Sequence, residues 1–136
     1  MPATRCPRTR PPICGDRGSS AVELVLLTPV LMIAVFLIVQ FALWYHARGI
    51  VLAAAQEGAR AARAERGSAA AGQARAHAYL DALGGDLVTD AAATVTRGPD
   101  TVIARVTGRA VSIVPGFTMT ITESSVGPVE RFRPAP

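Results

Sequence analysis

The amino-acid sequence predicts a single-pass membrane protein. It has a long N-terminal α-helix, transmembrane and extending outward, followed by a small α+β head with an antiparallel sheet. Three observations carry that prediction. The 22 residues from Leu24 to Tyr45 hold no formal charge, and at about 1.5 Å per residue they span roughly 33 Å, enough for a hydrocarbon core. The stretch after them is dense in Ala and free of proline as far as Arg66, so helix continues beyond the apolar part. Past Asp90 the apolar residues alternate with polar ones, the period of strands that bury one face. A chain of 136 residues has room for one small head besides such a helix.

Residues 1–18 read as a basic cytoplasmic leader. Arg5, Arg8, Arg10 and Arg17 stand against Asp16, a net +3. Basic flanks stay on the cytoplasmic side, which places everything after His46 outside. Cys6 and Cys14 both lie in this leader and the rest of the chain has no cysteine, so the head holds no disulfide framework. The leader has no His to complete a zinc site. A lipoprotein cysteine follows an apolar stretch, whereas Pro11, Pro12 and Ile13 precede Cys14.

Residues 19–45 form the signal and the membrane helix. Only Thr28, Pro29 and Gln40 interrupt the apolar run, and Trp44 and Tyr45 close it where aromatic rings favour the headgroup level. A secretory signal would have an apolar core of about 7–15 residues and a small-residue cleavage site. This run is longer and ends in Trp44-Tyr45-His46, so it reads as a retained anchor. Pro29 removes one backbone hydrogen bond near Val25, either as a simple kink or as a packing feature. Glu23 stands at the edge of the run, where a carboxylate costs about 2.5–3.5 kcal/mol if drawn to the bilayer centre. It either reaches water at the interface or needs a cationic partner.

Residues 46–83 form an extracytoplasmic helical region. Ala54, Gly58 and Ala62 make a small-residue stripe at i, i+4 and i+8, which lets another helix approach closely. A glycine inside a helix costs about 1 kcal/mol and so wants such a reason. Gly67-Ser68 breaks the helix, and Ser68 caps a second one from Ala69 to Leu83. Ala74, Ala78 and Leu83, with Tyr79 and Leu80, are expected to form its apolar face, and Gly84-Gly85 ends it.

Residues 84–126 are β-rich. Ala93–Thr96 and Thr101–Thr107 flank the turn Arg97-Gly98-Pro99-Asp100, with further strands expected at Ala110–Val114 and Thr118–Val126. Three or four strands result, over a core thin in large apolar residues that calls for help from partners. Residues 127–136 read as an irregular tail.

No enzyme constellation is present. The chain lacks G-x-S-x-G, H-E-x-x-H, Walker A and glycine-rich dinucleotide motifs. His46 and His77 have no ligand-spaced companions, and Asp81, Asp86, Asp90 and Asp100 lack the spacing of a calcium loop. The net charge of +4 does not describe a nucleic-acid reader, because Arg60, Arg63 and Arg66 are interleaved with Glu57 and Glu65. No cofactor, metal, nucleic acid or small-molecule substrate is expected.

A basic leader, then Gly18, then Glu23 five positions on, then about twenty apolar residues resembles the class III signal of type IV pilin-like proteins. The resemblance implies cleavage by a prepilin peptidase between Gly18 and Ser19, leaving Ser19 as the N-terminus and Glu23 as the fifth residue. The α-amine of a neighbouring subunit would then partner that carboxylate. More narrowly, Arg17-Gly18-Ser19-Ser20-Ala21-Val22-Glu23 with Pro29 six positions after the acid resembles the TadE-like family, pseudopilins of tight-adherence (Flp) pilus systems. Ala54-Ala55-Gln56-Glu57-Gly58-Ala59-Arg60 is similar to that family's A-x-x-G-A-R pattern. Leu24 stands where Phe or Tyr is commoner, and Gln40 where many members carry a second acid.

The resemblance implies a non-enzymatic minor pseudopilin of Flp/Tad pilus assembly or associated secretion, serving adherence, surface colonisation or DNA uptake. Its partners would be the prepilin peptidase, other pilin-like or TadE/TadG-like subunits, and membrane lipid. It would sit in the cytoplasmic membrane with its N-terminus cytoplasmic and its C-terminal region extracytoplasmic, and reach the cell surface after assembly. The alternative is an uncleaved single-pass anchor whose head binds an envelope or secretion-complex partner.

Overall fold

The computed structural model describes residues 17–114 and 116–130. Cys6, Cys14 and the leader arginines Arg5, Arg8 and Arg10 lie outside the described residues. Helix α1 runs Arg17–Arg63 and helix α2 Ala69–Leu83. A 3-10 turn, Gly85–Leu87, leads into strands β1 (Val88–Arg97), β2 (Thr101–Ala110) and β3 (Met119–Pro128). The fold is the expected one, a long apolar helix followed by a small α+β head with an antiparallel sheet. The chain divides into two units, Met1–Val35 and Phe36–Pro136.

In the first unit the helix exposes its apolar side chains all round. Leu24, Val25, Leu31 and Ile33 are each at least 59% accessible, and a surface with no polar face asks for an apolar solvent. Pro29 lies inside the helix without ending it. Its missing N–H frees the Val25 carbonyl, and the neighbouring Thr28 hydroxyl donates to the Leu24 carbonyl at 2.7 Å.

In the second unit the strands pair in the order β1-β2-β3, all antiparallel. Alternation along β2 buries Val102, Ala104, Val106, Gly108 and Ala110 on one face. Ala93 and Val95 of β1 and Ile121 of β3 join them. Asp90 and Ala91 bulge opposite Gly108, since Thr89 pairs with Arg109 and Ala92 with Thr107. The bulge explains how Val88 and Ala93, an odd number of residues apart, both reach the core. Asp90 takes the left-handed conformation this requires (φ 51°), and its carboxylate accepts from Arg109 at 2.8 Å. The opposite face, with Thr94, Thr96, Arg105, Thr120, Thr122 and Ser124, is open.

The distal half of α1 covers the buried face with Ala47, Ile50, Val51, Ala54, Ala55, Ala59 and Ala62. Helix α2 adds Gly72, Ala76 and Leu80. This corrects the expected face of α2: Ala74 and Ala78 are exposed and Leu83 is 53% accessible. The reason is close helix contact. A Cβ placed on Gly72 would lie 2.7 Å from the Gly58 carbonyl oxygen and 2.8 Å from the Ala62 Cβ. The two helices therefore meet through Gly58 and Gly72, and the contact face rotates to the small residues at i, i+4 and i+8.

The links are capped as follows. The Ser68 side chain accepts from the Ala71 N–H at 3.0 Å, the N-cap expected for α2. Helix α1 stops at Arg63, three residues before the expected end. Nη1 of Arg97 donates to the carbonyls of Ala62, Ala64 (3.0 Å) and Gly67 (2.6 Å), so a cation sits where the helix dipole is negative. The expected strand Ala110–Val114 does not form. Ala110 ends β2, and residues 111–114 leave the sheet to bond a side chain of α1. At the other end, β3 extends through Pro128, two residues into the expected tail. The Val129 N–H then donates to the Asp100 carbonyl and the Glu130 N–H to the Arg63 carbonyl, both at 2.9 Å.

Candidate functional site

Two parts of the chain hold the residues singled out by the sequence. Gly18 and Ser19 fall in the first turn of α1, and their side chains lie outside the described residues. Glu23 is exposed and makes no ion pair among the described residues. Pro29 is in the exposed apolar stretch described above. Ala54, Gly58 and Ala62 lie far along the same helix, and each is buried. Their stripe is filled from within the chain, by Gly72 and Ala76 of α2 and by Val95 of β1 against Gly58.

Around Gln40 the structure builds a site at a residue the sequence marked as an interruption of the apolar run and as standing where an acid is common. Gln40 is 4% accessible, the one buried polar side chain among the described residues. The Ile113 N–H donates to its Oε1 at 2.9 Å and the Ser112 hydroxyl to the same oxygen at 3.3 Å. Its Nε2 donates to the Val111 carbonyl at 3.4 Å. A buried amide left unpaired costs several kcal/mol in an apolar medium, by order of magnitude. Here the loop after β2 supplies its partners. The signal available in the sequence was the amide itself: a lone Gln amid apolar residues requires a partner from elsewhere in the fold.

One turn further along α1 the side chains become aromatic. Phe41 packs at 5.9 Å from the Trp44 ring and 6.3 Å from Tyr45. Trp44 is half-buried against the core, and the Arg48 guanidinium lies 5.8 Å from its ring centroid, within cation–π range. Arg48 also bridges to Glu123 of β3, Nε to Oε1 at 2.5 Å. The hydrogen bond and the negative charge of Glu123 hold the Arg48 pKa above its ordinary value. Beside this collar an open groove of about 580 Å³ is lined by Ala42, Tyr45, His46, Gly49, Tyr79 and Leu83. Gly49 has nothing within 4 Å of a Cβ built on it. No group of three His, Cys, Asp or Glu among the described residues is placed to hold a metal.

Residues 18–60 match the family described as TadE-like protein. The matched segment is about a third of the chain. It runs from the first turn of α1 past Gln40 and the aromatic collar to Arg60, and includes none of the sheet. No curated protein and no solved structure matches the chain. The TadE-like family suggests a component associated with Tad pili, and it is a structural, pilus-associated family. Among the described residues one helix, near the N-terminus, is long and apolar enough to cross a membrane, which suits a membrane anchor.

Proposed function

We propose that this chain is a TadE-like minor pseudopilin of a Tad (Flp) pilus or an associated secretion assembly. Its leader lies in the cytoplasm, α1 crosses the membrane, and the head stands outside. A prepilin peptidase removes the leader after Gly18. The observation that carries the reading is that the TadE-like match begins at Gly18, the residue immediately before the proposed cut, with Glu23 five positions on.

The spacing has a physical use. Glu23 is exposed on an otherwise apolar helix surface. When that surface is packed among the helices of other subunits, an unpaired carboxylate becomes expensive and a paired one is tolerated. Cleavage creates a cation, the α-amine of Ser19, about 6 Å away along the helix axis. An amine from one subunit can then meet Glu23 of the next only when the two are offset by about one helical turn. The pair thereby selects a register between apolar helices that would otherwise slide.

The test is the N-terminus of the membrane-extracted protein, by intact mass and N-terminal peptide mapping, in cells with and without the prepilin peptidase. A peptidase-dependent start at Ser19 is expected. A chain that keeps Cys6 and Cys14 in cells with active peptidase sinks the pseudopilin reading. It leaves an uncleaved anchor whose head binds an envelope or secretion-complex partner.

A further inference from the structure

We propose that the loop between β2 and β3 is a second membrane-contacting element, inserting Ile113, Val114 and Phe117 among the lipids around α1 on the outer side. The proposal rests on the reading of α1 as a membrane anchor. Three observations carry it.

The first is depth. The loop is bound to Gln40, and Gln40 precedes Tyr45 by five residues, about 7 Å along the helix axis. Trp44 and Tyr45 carry the ring types that settle at the headgroup level. A loop fixed at Gln40 is therefore held on the hydrocarbon side of that belt.

The second is the surface. Ile113, Val114 and Phe117 are 46%, 40% and 51% accessible. They stand in the loop bound to Gln40, whose neighbours along α1, Phe36, Leu37 and Phe41, are 51%, 61% and 62% accessible. In water these side chains would gain nothing by facing outward, whereas lipid takes their apolar surface out of water.

The third is the backbone. Irregular chain is tolerated at membrane depth only when its polar groups find partners within the protein. The Val111 N–H donates to the Leu87 carbonyl at 3.0 Å and the Phe117 N–H to the Val114 carbonyl at 3.2 Å. The Ile113 N–H goes to Gln40, and the Val114 N–H to the Ser112 hydroxyl at 3.2 Å. The loop thus arrives at the apolar level with these donors already satisfied, which an ordinary water-facing loop does not need.

The experiment uses the full chain with Cys6→Ser and Cys14→Ser, carrying one new cysteine at a time: Phe117→Cys, Ile113→Cys, Leu31→Cys or Thr122→Cys. Each is labelled with a bimane fluorophore and reconstituted into vesicles of phosphatidylethanolamine and phosphatidylglycerol containing acyl-chain nitroxide lipid. Position 31 reports the anchor and position 122, on the open sheet face, reports water. The expected result is lipid quenching at 113 and 117 of at least half that at 31, with little at 122. Quenching at 31 but not at 113 or 117 overturns the loop proposal while leaving the anchor intact. If the unquenched loop probes are also shielded from a water-soluble quencher, a neighbouring protein covers them, which equally overturns it. No quenching at 31 removes the anchor reading, and the loop proposal falls with it.

Discussion

Gln40 and Arg97 act alike within the head, each gathering backbone groups from a distant part of the chain. Gln40 takes up the loop after β2, 73 positions along at Ile113. Arg97 gathers three carbonyls where α1 gives way to α2. Replacing either removes one partner and strands the other, which is the expensive way to lose a hydrogen bond. Gln40→Leu leaves the Ile113 N–H unpaired, and Arg97→Ala strips the end of α1. Each is expected to lower stability by about 1–3 kcal/mol, read in detergent as an earlier unfolding transition of Trp44 emission. The chain has a single Trp and it packs against the core, so the probe reports the head. The Arg48–Glu123 bridge should behave differently from a titrating switch. A cation whose folded pKa is raised contributes stability in full below its unfolded value, and loses it only as pH rises through the higher folded value. For Arg48 that window lies in strong alkali. Glu123→Gln is accordingly expected to destabilise the head equally in neutral and mildly alkaline buffer, and a loss that differed between the two would refute it.

At the scale of elements, three glycines of the two helices make opposite demands. Gly58 and Gly72 are where the helices meet, and a methyl group on Gly72 would strike backbone at 2.7 Å. Gly49 lies on the exposed face of the same α1 with open space around it. Gly72→Ala is expected to cost about 1–3 kcal/mol through overpacking. Gly49→Ala should gain up to about 1 kcal/mol, because alanine is the better helix former. Thermal melts of the two single variants against the parent give opposite signs, and a gain at Gly72 would show that the helices do not meet there. The same contact explains why α2 turns Ala76 and Leu80 inward and leaves Ala74 and Ala78 outside. Helical periodicity restricts which residues share a face, but the narrowest side chains on the partner decide which face is used.

For the whole molecule, the core is small and the apolar surface is large. The largest fully buried side chains are only Val51, Val102 and Val106, while α1 exposes apolar residues from Val22 to Phe41. The head therefore depends on packing small residues closely, and the span on a non-aqueous surrounding. Glu23 is an acid on that exposed, otherwise apolar stretch of α1. In cells, Glu23→Gln is expected to leave membrane anchoring unchanged and to abolish incorporation into pili or into crosslinked complexes with pilin-like subunits. Normal incorporation of that variant would remove the proposed register pair.

The long helix, its apolar length, the capped second helix, and an alternating region that folds as antiparallel strands are all legible along the chain. These follow from composition and period over many residues, and local physics suffices for them. The sequence also contains the Gly18–Glu23 spacing and the stretch that matches the TadE-like family, since both are contiguous. The partner of Gln40, the use of Gly58 and Ala62 by the chain's own second helix, and the fate of residues 111–114 emerge only in the folded arrangement. Those residues alternate well enough for a strand, but a buried amide on α1 supplies a competing acceptor and takes them from the sheet. The bulge at Asp90 and the capping by Arg97 belong to the same class. Each depends on groups remote in sequence that become neighbours only after the helices have closed on the sheet, so no local pattern announces them.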